Sequence, residues 1–106
     1  MSRYCMIEVA FDKKEEVEET ILTLLDKNLA CSCQVIQSDS YWNWKGNRES
    51  SKEYLMFIKS KKSLVKEIYQ MILKIHSYNC FEFAVFDLDS CSKEYIKWID
   101  EETKGK

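Results

Sequence analysis

The chain has 106 residues, 45% of them hydrophobic and 32% charged, with a formal net charge of -2. That length and balance suit one folded domain over residues 1–106 with a single core, and they exclude a disordered chain. The slight acidity argues against general phosphate-backbone binding, which needs a basic surface, so no nucleic-acid partner is expected.

Tyr4 to Phe11 is apolar and aromatic and reads as a first strand. Glu8 interrupts this run, which also lacks a signal peptide's basic region and cleavage site; no membrane segment is read, and a cytoplasmic protein is expected. Asp12, with Glu15 three residues on, is an N-cap candidate. Val17, Ile21, Leu24, Leu25 and Leu29 follow at helical spacing, so a first helix is expected to about Asn28. The acidic run Glu15, Glu16, Glu18 and Glu19 sits near its N-terminus, where the helix dipole favours anions, and reads as a solvated face.

Ala30 to about Trp44 reads as a long second strand, Lys45-Gly46-Asn47 as a turn, and Glu53 to Lys59 as a third strand, antiparallel by hairpin logic. Trp42 and Trp44, two residues apart, project from one strand face, and because Trp is costly to expose it usually marks a core or an interface. Ser60 is expected to cap a second helix with Leu64, Ile68, Met71, Ile72 and Ile75 on one stripe. Cys80 to Leu88 reads as a fourth strand, and Ser90 or Ser92 as the start of a last helix with Tyr95, Ile96 and Ile99. The order β-α-β-β-α-β-α predicts an α+β, ferredoxin-like split β-α-β sandwich on an antiparallel sheet, with a C-terminal helix added.

The five cysteines (Cys5, Cys31, Cys33, Cys80 and Cys91) form no C-x-x-C pair, and their odd number disfavours a disulfide framework. They read as reduced thiols, mostly small core residues, although Cys31 and Cys33 on one strand face could bind a soft metal. No glycine-rich phosphate loop is present, and no Ser or Cys is marked as a nucleophile, so no enzyme is expected. Strand three has no glycine, which argues against an RNA-recognition module.

His76 ends the second helix. It could converge with Cys80 and Glu82 into a copper or zinc ligand set, or cap a last-turn carbonyl. Lys59, ending an apolar strand, needs a carboxylate such as Glu82 or an anionic ligand, or else snorkels to water.

Several segments carry a family resemblance. Ser40-Tyr41-Trp42-Asn43-Trp44-Lys45-Gly46 resembles the Ser-x-Tyr-x-Trp-x-Gly stretch of the CutA family, small trimeric proteins linked to divalent-cation tolerance. Ile58-Lys59-Ser60 resembles its Ile-Lys-Thr, and Tyr95-Ile96-Lys97-Trp98 its Tyr-x-x-Trp. His76-Ser77-Tyr78-Asn79-Cys80-Phe81-Glu82 resembles its His-Pro-Tyr-Glu-x-Pro-Glu box. Leu29-Ala30-Cys31-Ser32-Cys33 resembles its Leu-Ala-small-Cys segment. Both prolines of the His box are missing, at Ser77 and Phe81, as is one near Asp12, and Asn79 replaces a glutamate; the turn should be less pre-set.

The resemblance implies a homotrimer joined by edge strands that binds divalent metal ions, copper first, with no metal needed for folding. A cleft between subunits is expected to be lined by Trp44, Lys59, His76, Tyr78, Glu82 and Trp98, and the residues themselves offer His76 and Glu82 as metal ligands with a cysteine, Cys80 or one from a neighbouring subunit. A Trp44 indole at a subunit junction would make Trp44→Ala cost about 3–5 kcal/mol, as for a large core truncation. The alternatives are a signalling trimer resembling PII proteins, with a small anion in the cleft, and a structural or partner-anchoring trimer.

Overall fold

The structure, a computed structural model, describes residues 2–105. Four strands, β1 (Tyr4–Phe11), β2 (Ser32–Trp44), β3 (Asn47–Lys61) and β4 (Phe83–Asp87), form one antiparallel sheet in the order β2-β3-β1-β4. Helices α1 (Lys14–Asp26) and α2 (Val65–Ile75) follow β1 and β3, and α3 (Lys93–Glu102) follows β4. This is the expected split β-α-β plan with its added helix.

Alternation along β1 decides the two faces. Cys5, Ile7, Val9 and Phe11 point into the core beneath α1 and α2, packed with Val17, Leu24, Met56, Ile58, Ile68 and Ile72. Each large apolar side chain buried there contributes about 1.5–3 kcal/mol. The register puts Met6, Glu8 and Ala10 on the opposite face, with Ile36, Leu55, Phe57, Lys59, Ala84 and Phe86. There α3 covers one end only, where Ile99 packs with Tyr4 and Cys31. Beyond α3, Ile36 (53% exposed) and Phe86 (45%) remain uncovered.

The β2–β3 hairpin is longer than the sequence pattern suggests. Pairing continues to Trp44↔Asn47, so the turn is only Lys45-Gly46, both at positive φ (49° and 85°). Two successive positive φ values define the type I′ turn, whose twist matches that of the strands. The glycine tolerates this at no cost, and the ladder then extends over residues whose side chains gave no strand signal.

Several helix ends also differ from expectation. Asp12 does not cap α1; Lys13 holds the N-cap position without a side-chain bond, and Asp12 pairs with Lys13 at 3.5 Å. The C-terminus of α1 closes with Asn28 in the left-handed region (φ 55°), Leu29 N–H on Leu24 O at 2.9 Å and Asn28 N–H on Leu25 O at 3.1 Å. That pair of bonds is a Schellman closure. Ser60 is not a cap either. β1 pairs with β3 as far as Tyr4↔Lys61, so Ser60 stays in the strand, buried, with its hydroxyl donating to Leu29 O. A 3₁₀ turn (Lys62–Leu64) then leads into α2. Of the two serines before α3, Ser92 is the cap, accepting from Tyr95 N–H at 3.2 Å.

Candidate functional site

His76 lies where α2 ends, but the sheet holds it, not the helix. Its Nε2 donates to Ala10 O on β1 at 2.7 Å, and its Nδ1 accepts from Tyr78 N–H at 3.1 Å. A carbonyl only accepts and an amide N–H only donates, so this pattern describes a neutral ring protonated at Nε2. The imidazole is stacked between Phe11 and Phe81, each at 4.4 Å and 12°. Its side chain has no exposed surface. Both ring nitrogens are therefore committed, and the bond to Ala10 replaces the expected bond to a last-turn carbonyl.

Tyr78 follows at a tilt, 4.8 Å from the imidazole, and its hydroxyl donates to Glu53 Oε2 at 2.9 Å. Glu53 is buried. Burial, the Glu53 carboxylate and the nearby Asp12 and Glu16 charges push the Tyr78 hydroxyl well above the usual phenol range. Glu82 stands just before β4, two residues from Ala84, the register partner of Glu8. Interaction with the Glu8 side chain, then burial, then the Glu8 and Glu53 charges raise its carboxyl from 4.5 to about 7. Two neighbouring carboxyl groups favour a shared proton or a cation between them. Glu8 and Glu53 are functional candidates that the sequence reading passed over, and Glu16, read there as part of a solvated face, is a third, its side chain only 15% exposed. A lone charge in the apolar run of β1 was the available signal for Glu8; Glu16 and Glu53 carried none.

The remaining expected site residues are dispersed. Lys59 donates to Gln34 Oε1 at 2.8 Å, not to Glu82, and so ends in a neutral partner on the open sheet face. Cys80 is exposed in the loop before β4, and the strand starts too late to align it with Glu82. Among the described residues, no group of three or more His, Cys, Asp or Glu side chains is arranged to hold a metal ion. His76, Glu82 and Cys80 are thus not assembled into a ligand set within one chain. Cys31 packs with Tyr4 and Ile99 while Cys33 packs against the main core, so the expected pair is divided between two clusters. Burial raises both thiols, Cys33 to about 12, and disfavours thiolate ligands.

Trp44 and Trp98 lie at opposite ends of the molecule. Trp44 pairs with Asn47, whereas α3, which carries Trp98, packs by Tyr4, the partner of Lys61. Asn47 and Lys61 end a 15-residue strand, about 45 Å apart at about 3.3 Å per residue. Trp44 and Trp98 can line one cleft only if they come from different copies of the chain.

The family model for the CutA1 divalent ion tolerance protein matches residues 5–102. The chain belongs to this family. The CutA protein of Pyrococcus horikoshii, named for divalent-cation tolerance, is 27% identical over 99 residues, spanning 93% of this chain and 97% of that protein. The solved structure of the Archaeoglobus fulgidus protein, described as a periplasmic divalent cation tolerance protein, has a TM-score of 0.91 at 26% identity, covering 95% of this chain and 99% of that one. The CutA1 structure from Shewanella sp. SIB1 superposes with a TM-score of 0.93 at 21% identity over 98% of each chain, a likeness of fold alone. Membership in the CutA family explains the element order, the His box and the Trp-Lys-Gly hairpin turn together. Among the described residues no helix is long and apolar enough to cross a membrane.

Proposed function

We propose that this CutA protein is a non-enzymatic homotrimer that holds a divalent cation at Glu82 and Glu8, on the sheet face that α3 leaves open. The observation that carries this reading is the β1–β4 register, which pairs Glu8 with Ala84 two residues from Glu82, together with the rise of the Glu82 carboxyl caused by Glu8, burial and the Glu53 charge. A divalent ion would replace the shared proton and relieve the repulsion of the two charges. Oxygen donors of this kind suit an oxygen-seeking ion. Copper, which the family resemblance put first, prefers imidazole or thiolate, and His76 would have to give up one of its two bonds to serve.

Trimerisation is supported by the two free sheet edges, β2 and β4, and by Ile36 and Phe86 on the open face. A cytoplasmic location is supported by five free thiols.

Calorimetry of tag-free protein against manganese, zinc and copper tests the cation site. Saturable binding is expected in the parent, and its loss is expected in the double variant Glu8→Gln, Glu82→Gln with sedimentation unchanged. Equal binding by both proteins would place the site elsewhere.

A further inference from the structure

Besides its bonds to Ala10 of β1 and Glu53 of β3, the loop from α2 to β4 makes polar contacts with the first turn of α1. Glu16 Oε1 accepts from Ser77 N–H at 3.1 Å and from Ser77 Oγ at 3.2 Å, and it stands 3.9 Å from His76 Nδ1. The Glu16 side chain is only 15% exposed. Its carboxylate sits in the first turn of α1, where the helix dipole favours a negative charge. Ser77 occupies a position where the resembling box has proline, and its N–H and hydroxyl are the donors that proline lacks.

We propose that Glu16 is a positioning residue for residues 76–82, doing through hydrogen bonds what a fixed proline φ would otherwise do. Holding both donors of Ser77 aims the next amide, Tyr78 N–H, at His76 Nδ1. That bond selects the Nε2-protonated ring, which then donates to Ala10 O. The same path sets the Tyr78 hydroxyl on Glu53 and leads to Glu82 beside Glu8. The turn is therefore pre-set in this chain despite the missing proline. The inference gives the cation reading its supporting loop and rests on that reading only for its functional meaning; it is tested with no metal present.

The sequence contains a single histidine, so [15N]histidine labelling of the full chain gives one pair of ring signals. In metal-free buffer at about pH 8.5, where an ordinary imidazole is neutral, the parent should show one pyridine-type nitrogen (Nδ1) and one pyrrole-type nitrogen (Nε2). Glu16→Ala should draw the two signals together as the tautomers mix, and speed amide exchange at Tyr78 by about ten- to a hundredfold. Glu16→Gln keeps an acceptor oxygen and should behave as the parent. His76 has ψ 131°, which accommodates a following proline. In a Ser77→Pro background, Glu16→Ala should therefore have little further effect. Ring signals and Tyr78 exchange unchanged in Glu16→Ala would overturn the proposal, as would Glu16→Gln failing as Glu16→Ala does. If Glu16→Ala does not fold, Glu16→Asp, one methylene short, is read in the same way.

Discussion

Replacing Trp44 with alanine separates folding from assembly. In the single chain the residue is 48% exposed, at the end of a two-stranded arm that neither α1 nor α2 covers; the ammonium of Lys45 is 5.5 Å from its ring centre. A core truncation costs about 3–5 kcal/mol because the side chain is enclosed. Trp44 is not enclosed, so Trp44→Ala should cost the isolated fold well under that range. A tryptophan presents up to about 250 Å², which leaves about 120 Å² for a partner. At about 25 cal/mol per Å² this is worth about 3 kcal/mol, or roughly 150-fold in association constant per contact. A closed trimer has three such contacts, so the loss is multiplied. Sedimentation velocity over a concentration series, with far-UV circular dichroism on the same samples, reads both quantities. The parent should sediment near three times its 12.7 kDa chain mass. Trp44→Ala should dissociate at concentrations where the parent does not, with its spectrum intact. An unchanged association would refute the assembly role of the arm, and a variant that unfolds as a monomer would refute the claim that Trp44 is peripheral to the core.

Glu82 carries a pH signature. Its carboxyl is raised in the fold from 4.5 to about 7, so the folded chain holds the proton more tightly than the unfolded chain. Its contribution to stability is fully present below 4.5, declines as pH rises towards 7, and is flat above. Glu8→Gln removes the first cause, and denaturant titrations should show a shallower decline over that window than in the parent. A carboxyl carbon signal of Glu82 that titrates near 4.5 in the parent would refute the pairing. Lys61, 2% exposed, donates to the carbonyls of Thr103 (3.3 Å), Lys104 (3.4 Å) and Gly105 (2.8 Å), holding the residues that follow α3. Lys61→Met keeps the apolar stem and should cost about 2–4 kcal/mol, with faster amide exchange at Lys104, whose N–H bonds to Asn28 O. Unchanged exchange there would show that the tail is held by other contacts.

Local pattern was enough for the element order. Apolar spacing in α1 and α2, the apolar and aromatic run of β1 and a serine cap before α3, at Ser90 or Ser92, are properties of neighbouring residues, and such signals survive in a linear reading. Ends set by long-range pairing were not legible. β3 extends to Asn47 because β2 lies beside it, and Ser60 remains in the strand because Tyr4 pairs with Lys61.

The same division runs through the candidate site. From its residues the sequence determined a CutA-family chain, with a His box ahead of β4 and two tryptophans on a long hairpin. Only the tertiary structure decided what those residues do. His76 is neutral and stacked between Phe11 and Phe81 because β1 brings a carbonyl 66 positions away within 2.7 Å. Glu82 interacts with Glu8 instead of Lys59 because the β1–β4 register pairs Glu8 with Ala84, two residues from Glu82, while Lys59 turns to Gln34. Protonation state and partner depend on the field and donors around a group, and strands distant in sequence supply them.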